Sequence, residues 1–93
     1  MSEFRIFETD QFQEELERIS PDRRDTLQIK LREFVYPQLR REPFFGKNIK
    51  KLRDFKPEAW RYGIGAYRFF YGIDERDKIV FMVAAEARQG SYR

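Results

Sequence analysis

The sequence predicts an α+β fold in which an antiparallel-rich sheet carries an N-terminal helical hairpin on one face. A short alternating segment comes first, and apolar residues then recur with a helical period up to about residue 40. After that point the pattern changes to short apolar runs separated by turn residues. These observations predict a single domain, residues 1–93, with the element order β-α-α-β-β-β-β.

The first strand and the first helix are both predicted before residue 20. The segment FRIFET alternates in the way a short strand does. In the following segment, TDQFQEELERIS, three apolar residues share one helical face: Phe12, Leu16 and Ile19. Thr9 or Asp10 is expected to cap the start of this helix, because short polar side chains accept hydrogen bonds from free backbone N–H groups.

The second helix is predicted from about residue 21 to residue 40. Ser20 and Pro21 form a stop-and-restart signal, since serine caps a helix and proline is favoured at its first position. Pro37 is expected to kink the last turn or to end the regular helix near Tyr36. The apolar stripe of this helix consists of Leu27, Leu31, Phe34, Val35 and Leu39. Neither helix can bury its stripe alone, so both are expected to lie on a sheet.

Four strands are predicted in the remainder of the chain. They are the segments IKKLRDF, WRYGIG, AYRFFYGI and IVFMVAAEA, with KPEA as a turn and DERDK as a hairpin turn. Consecutive short strands with tight links form an antiparallel meander. The first strand is expected either at one edge of this meander or inserted between its strands.

The composition excludes several kinds of active site. The chain has no cysteine and no histidine, which excludes disulfides, a thiolate nucleophile, the usual zinc sites and the commonest acid–base residue. No apolar stretch approaches the length of a membrane span, and the acidic N-terminal segment does not resemble a secretion signal. We therefore expect a cytoplasmic protein with no cofactor and no contact with a membrane.

The net charge of +3 is unevenly distributed. The densest basic segment is RREPFFGKNIKKLR, residues 40–53, in which Glu42 is opposed by Arg40, Arg41, Lys47, Lys50, Lys51 and Arg53. A basic patch attracts polyanions, chiefly nucleic acid. A charged segment of this kind is also common on an ordinary solvated surface, so charge does not decide between the two interpretations.

Arginines on neighbouring strands suggest a more specific site. Arg61 and Arg68 flank a short turn, while Arg88 and Tyr92 follow the end of the last strand. These residues are either ordinary solvent-facing side chains of alternating strands or a cluster that binds phosphate. Guanidinium groups bind phosphate in a planar, bidentate manner and stabilise the charge of a phosphoryl-transfer transition state. Because RNA supplies its own 2′-hydroxyl nucleophile, such a site needs no histidine, cysteine or metal.

The C-terminal half of the sequence resembles the RelE/ParE superfamily of bacterial toxin–antitoxin modules. The shared pattern is a KLR-type strand, an aromatic-Arg-Tyr strand (WRY), a YRxxY segment (YRFFY) and an RxxxY ending (RQGSY). The resemblance extends over nearly the whole chain, including the order of elements. It implies a small toxin that is held by a cognate antitoxin, an acidic and partly disordered protein.

The resemblance also implies roles for individual residues. Arg68 matches the arginine that contacts the scissile phosphate, Arg88 a second catalytic arginine, and Tyr92 a tyrosine that stacks on or deprotonates the nucleotide. Arg61 stands at a basic position of RelE-type enzymes. The expected RNA-binding residues are Lys47, Lys50, Lys51 and Arg53. The sequence departs from the family pattern at Gly63, Ala87 and Gly90-Ser91, and it leaves the general acid unassigned.

Three functions are compatible with this resemblance. The first is a ribosome-dependent messenger RNA endonuclease, with the ribosome and the message as partners. The second is a ParE-like inhibitor that binds DNA gyrase without catalysis. The third is an inactive member that only binds its antitoxin.

Overall fold

The computed structural model describes residues 3–19 and 24–87, which form a five-stranded sheet with helices on one face. The elements are β1 (Arg5–Glu8), α1 (Asp10–Ile19), α2 (Arg24–Lys30), a π-helical turn (Leu31–Val35), α3 (Tyr36–Arg41), β2 (Ile49–Lys51), β3 (Trp60–Ile64), β4 (Tyr67–Asp74) and β5 (Ile79–Ala87). The predicted α+β class and element order are confirmed, with α2, the π turn and α3 together forming the second helix. Of the helices described, none has both the length and the apolar character needed to cross a membrane.

The strands are ordered β1-β5-β4-β3-β2. Strands β2 to β5 form the predicted antiparallel meander, and β1 pairs in parallel with β5 at the edge of the sheet. The edge position was one of the two expected for the first strand. Strand β2 is shorter than predicted, because the chain turns away after Lys51 and Asp54 adopts a left-handed backbone conformation with φ of 61°.

Alternate residues of the three longest strands face the helices. The buried side chains on this face of the sheet are Trp60, Tyr62, Phe69, Tyr71, Val80, Met82 and Ala85. A β-bulge interrupts the alternation, since Tyr71 pairs with Met82 whereas Phe70 pairs with Ala84. The bulge inserts Val83 and thereby keeps both Met82 and Ala85 on the buried face, although they are three positions apart in sequence, an odd number.

The π turn explains how the second helix packs on the sheet. Leu27, Leu31, Val35 and Leu39 are spaced four residues apart, and each is at most 2% exposed. In a regular α-helix such a stripe drifts by about 40° at each step, because four residues exceed one turn of 3.6. The wider π turn offsets this drift and holds the stripe over the core. The prediction that Phe34 belongs to the stripe is wrong, since its side chain is 59% exposed.

Pro37 does not end the helix near Tyr36. Helix α3 continues to Arg41, and Pro37 lies in its first turn, directly after the π turn. At this position the missing N–H of proline removes little hydrogen bonding, because the ladder is already interrupted.

Thr9 is the cap of α1 and also connects the helix to the sheet. Its Oγ1 accepts a hydrogen bond from the Phe12 N–H at 3.2 Å and donates one to the Met82 carbonyl at 2.9 Å. Asp10, the alternative cap, is the first helical residue. The predicted restart signal, Ser20-Pro21, lies outside the described residues.

We expect Thr9→Ala to lower the free energy of unfolding by about 1–2 kcal/mol, because it removes a helix cap and leaves the Met82 carbonyl without its side-chain donor. Urea denaturation measures this change. Thr9→Ser retains the hydroxyl and should remain close to the original stability. Equal stability of the alanine and serine variants would contradict the bridging role.

Candidate nucleic-acid interface

The open face of the sheet is the face opposite the buried one, and none of the described helices packs on it. Its side chains occupy the alternate strand positions that the core does not use. They include Arg5 and Phe7 on β1, Lys50 on β2, Arg61 on β3, Arg68 and Phe70 on β4, and Phe81 and Glu86 on β5. Helices fix this arrangement indirectly, because burying one face of a strand forces its other side chains outward.

Arg61 and Arg68 are diagonal neighbours on the open face. Arg61 pairs with Phe70, and Arg68 pairs with Gly63, on adjacent antiparallel strands. Diagonal positions of this kind lie roughly 7–8 Å apart, within reach of two long side chains. Lys50 lies directly opposite Arg61 on β2. The three residues form a line across the sheet that we call the cationic diagonal: Lys50, Arg61 and Arg68.

Gly63 leaves free space beside the cationic diagonal. A Cβ atom placed on Gly63 would meet none of the described atoms within 4 Å. Gly63 lies opposite Arg68 and two residues after Arg61, so the strand positions of both arginines are next to this space. The space leaves room for a group of phosphate size beside two arginine positions, and guanidinium groups are strong donors to phosphate.

Glu86 is the anionic neighbour of the cationic diagonal. Its Oε1 lies 3.3 Å from Nη1 of Arg68, and the two side chains are 52% and 36% exposed. Sequence reasoning missed this pair, although Arg68 and Glu86 lie at opposite positions of the β4–β5 hairpin. An ion pair at this exposure is weak, so a phosphate can displace Glu86. Among the residues that the structure describes, none forms an ion pair with Arg61.

The predicted RNA-binding residues do not share one face. Lys51 lies on the side opposite Lys50, where its Nζ is 2.9 Å from Oε2 of Glu58 and 5.6 Å from the centre of the Trp60 ring. Lys47 and Arg53 are exposed in the segments that precede and follow β2. Lys50 is thus the member of this set that joins Arg61 and Arg68 on the open face.

The predicted catalytic set is described in part. Arg88 and Tyr92 lie outside the described residues, and the chain is described up to Ala87, which pairs with Tyr67 beside Arg68. The structure brings Arg61 and Arg68 together on one face. The convergence of all four residues on a single phosphate stays a prediction.

The tyrosine side chains that the structure describes pack in or against the core and not on the open face. The Tyr71 hydroxyl donates to the Pro43 carbonyl at 2.7 Å, the Tyr62 hydroxyl to Gln38 at 2.8 Å, and the Tyr36 hydroxyl to Glu8. Burial raises the pKa of Tyr36 and of Tyr71 above that of an ordinary phenol, and the hydrogen bond to Glu8 raises the pKa of Tyr36 further. The raised pKa keeps the Tyr36 and Tyr71 phenols protonated at neutral pH.

Acidic residues gather away from the cationic diagonal, along α1. Glu8, Asp10, Glu14 and Glu17 line a shallow groove on the helical side of the molecule. Within the described residues, no three carboxylates are arranged to hold a metal ion. The separation of charge favours approach of a polyanion to the open face and disfavours its approach to α1.

We expect Glu86→Gln to strengthen binding of single-stranded RNA by about two- to fivefold, since it frees Arg68 from a weak ion pair. Fluorescence anisotropy with a labelled oligomer measures the dissociation constant. Glu75→Gln, in the exposed β4–β5 turn, makes the same change of net charge and should have a smaller effect. Equal effects of the two substitutions would show that net charge, and not the Arg68 pair, determines binding.

The fold is shared with RelE toxins of solved structure. No model of a known protein family matches the chain, and no curated protein matches it in sequence. Among solved structures, a chain of the RelBE2 toxin–antitoxin complex from Mycobacterium tuberculosis is similar with a TM-score of 0.71 and 24% identity, over 95% of this chain and 94% of that one.

Two further structures have the same architecture. A chain of the archaeal RelE–RelB complex from Pyrococcus horikoshii OT3 has a TM-score of 0.65 and 21% identity, over 95% of this chain and 97% of that one. A double arginine-to-alanine mutant of the E. coli toxin RelE in the free state has a TM-score of 0.64 and 20% identity, over 98% of this chain and 88% of that one. The chain therefore has the fold of the RelE toxins.

Proposed function

We propose that this chain is the toxin of a toxin–antitoxin module and that it cleaves messenger RNA on the ribosome. The observation that carries the proposal is the placement of Arg61 and Arg68 as diagonal neighbours on the open face, beside free space at Gly63. Two guanidinium groups at one phosphate would stabilise the charge of the transition state without a histidine or a metal. The fold shared with RelE toxins supports the same conclusion.

The chemistry is an internal transesterification of RNA. The 2′-hydroxyl oxygen loses its proton and attacks the adjacent phosphorus, and the bond from phosphorus to the 5′ oxygen of the next nucleotide breaks. The products are a 2′,3′-cyclic phosphate and a 5′-hydroxyl, which takes up a proton. Arg61 and Arg68 stabilise the additional negative charge on the phosphoryl oxygens in the transition state. In this proposal Arg88 supplies a second catalytic guanidinium, and Tyr92 stacks on the nucleotide or exchanges a proton.

Contacts with the RNA backbone are proposed for the basic residues around β2. Lys50 extends the cationic diagonal, while Lys47 and Arg53 flank β2 and can contact phosphates further along the strand. Lys51 should contribute less, because it lies on the other side of β2 and is paired with Glu58. The ribosome positions the message, and the reaction accordingly takes place in the cytoplasm.

A cognate antitoxin is the proposed protein partner. Two of the similar structures are RelE–RelB or RelBE2 complexes. An acidic, partly disordered antitoxin segment that folds on binding would be attracted by the cationic diagonal and would deny RNA access to it.

We expect Arg61→Ala and Arg68→Ala each to slow message cleavage by about 10²- to 10³-fold, the usual effect of removing one preorganised donor to transition-state charge. The assay uses purified protein and ribosomes carrying a defined codon in the A site. Lys50→Ala and Lys51→Ala form a matched pair of adjacent lysines on opposite faces, and Lys50→Ala should have the larger effect.

The same assay separates the alternative functions. Intact message with wild-type protein, combined with growth arrest that survives Arg68→Ala, would contradict nuclease activity and favour a gyrase-binding inhibitor. Intact message without growth arrest would favour an inactive antitoxin-binding protein.

A further inference from the structure

Three phenylalanines lie on the open face, and one of them adjoins the cationic diagonal. Phe70 on β4, Phe81 on β5 and Phe7 on β1 occupy alternate strand positions that point away from the core. Phe7 is 53% exposed, and its ring centre lies 5.7 Å from that of Phe81 at an angle of 66°. We call these three residues the aromatic row.

The hydrophobic core does not account for the aromatic row. The core cluster uses the opposite side of the same strands and includes Phe69, Tyr71, Val80 and Met82. The uncovered face of a sheet usually carries polar residues. Large rings kept on such a face on three adjacent strands indicate a binding surface.

The row begins at the proposed phosphate site. Phe70 pairs directly with Arg61 and lies two residues from Arg68 on the same face of β4. From β4 to β1 the row crosses two strand spacings, roughly 10 Å. Arg5 lies two residues before Phe7 on the same face, so the far end of the row also carries a cation.

Cations at both ends of a line of rings favour RNA over an apolar protein segment as occupant. Phosphates bind guanidinium groups, and unstacked bases stack on aromatic side chains at the surface of a sheet. Carboxylates on this face are few among the described residues, namely Glu86, paired with Arg68, and Asp74, whose Oδ1 accepts the Asp77 N–H at 3.0 Å.

We propose that the aromatic row stacks the bases next to the scissile phosphate, so that the open face binds a short stretch of single-stranded RNA. The proposal rests on the proposed function, which places the phosphate at Arg61 and Arg68. Ring stacking tolerates every base, because each base has a π-face. The row therefore supplies affinity and register without strong base preference.

The test uses the full chain and a short RNA oligomer in which every 2′-oxygen is methylated, so that it cannot be cleaved. We expect Phe7→Ala to weaken binding about 5- to 150-fold, the effect of losing one stacked base. Phe7→Leu keeps apolar volume and should weaken binding as well, whereas Phe7→Tyr keeps the ring and should restore it. Phe34→Ala is the matched control, because Phe34 is 59% exposed but lies on the π turn and not on the sheet.

A second oligomer distinguishes stacking from other causes. In an oligomer of abasic nucleotides, wild-type protein and Phe7→Ala should bind with equal affinity, because there is no base to stack. A persistent difference there overturns the proposal, as does equal binding of the base-containing oligomer by the two proteins. Equal losses in Phe7→Ala and Phe34→Ala also overturn it. If Phe7→Ala weakens binding of a purified acidic antitoxin and leaves RNA binding unchanged, the row is a protein-docking surface instead.

The ribosome assay keeps this proposal separate from the proposed function. Message cleavage that depends on Arg68 but not on Phe7 overturns the stacking role and remains consistent with the proposed nuclease activity. The same holds if the oligomer does not bind at all while ribosome-bound message is still cut. Absence of both cleavage and oligomer binding overturns both proposals.

Discussion

The structure depends on the division of the sheet into a buried face and an open face. Phe69 and Tyr71 are fully buried, while Arg68 and Phe70, which alternate with them on β4, lie on the other side. A shift of one residue in the register of β4 would bury Arg68 and expose Phe69, at a cost that the small core of a chain this short cannot offset. Burial of the aromatic side chains therefore also determines where the guanidinium groups lie.

This constraint also determines the arrangement of the candidate site in a chain without histidine or cysteine. Each residue of the cationic diagonal comes from a different strand, and the hydrogen-bonded register fixes their relative positions. The site is thus built on rigid elements and not on loops. The bulge at Val83 shifts the alternation on β5 by one residue, so that Glu86 lies on the open face beside Arg68, in a weak and exposed ion pair.

Much of the fold could be predicted, because strand limits and helix caps depend on residues that are close together in the sequence. The limits of β5 agree with the predicted segment IVFMVAAEA, and Thr9 caps α1 as expected. The π turn could not be predicted, because it depends on how the buried stripe of the second helix packs against the sheet. The residues of this stripe recur at every fourth position. Phe34 lies within the π turn and is exposed. The spacing of apolar residues alone could not predict this exposure.

The candidate site was predictable to a similar degree. The proximity of Arg61 and Arg68 follows from the short turn between their strands. The separation of Lys50 from Lys51 follows from strand alternation, but only once β2 is known to be a strand at these residues. The ion-pair partner of Arg68 and the aromatic row depend on which strands are neighbours in the sheet. The position of β1 beside β5 could not be predicted from local sequence patterns.

Backbone amide chemical shifts, mapped during titration with non-cleavable single-stranded RNA, test most directly whether the open face binds RNA. We expect the largest shifts at Lys50, Arg61, Gly63 and Arg68, with little change along α1 and α3. Shifts concentrated on the helices, with the strands of the open face unaffected, would contradict this expectation.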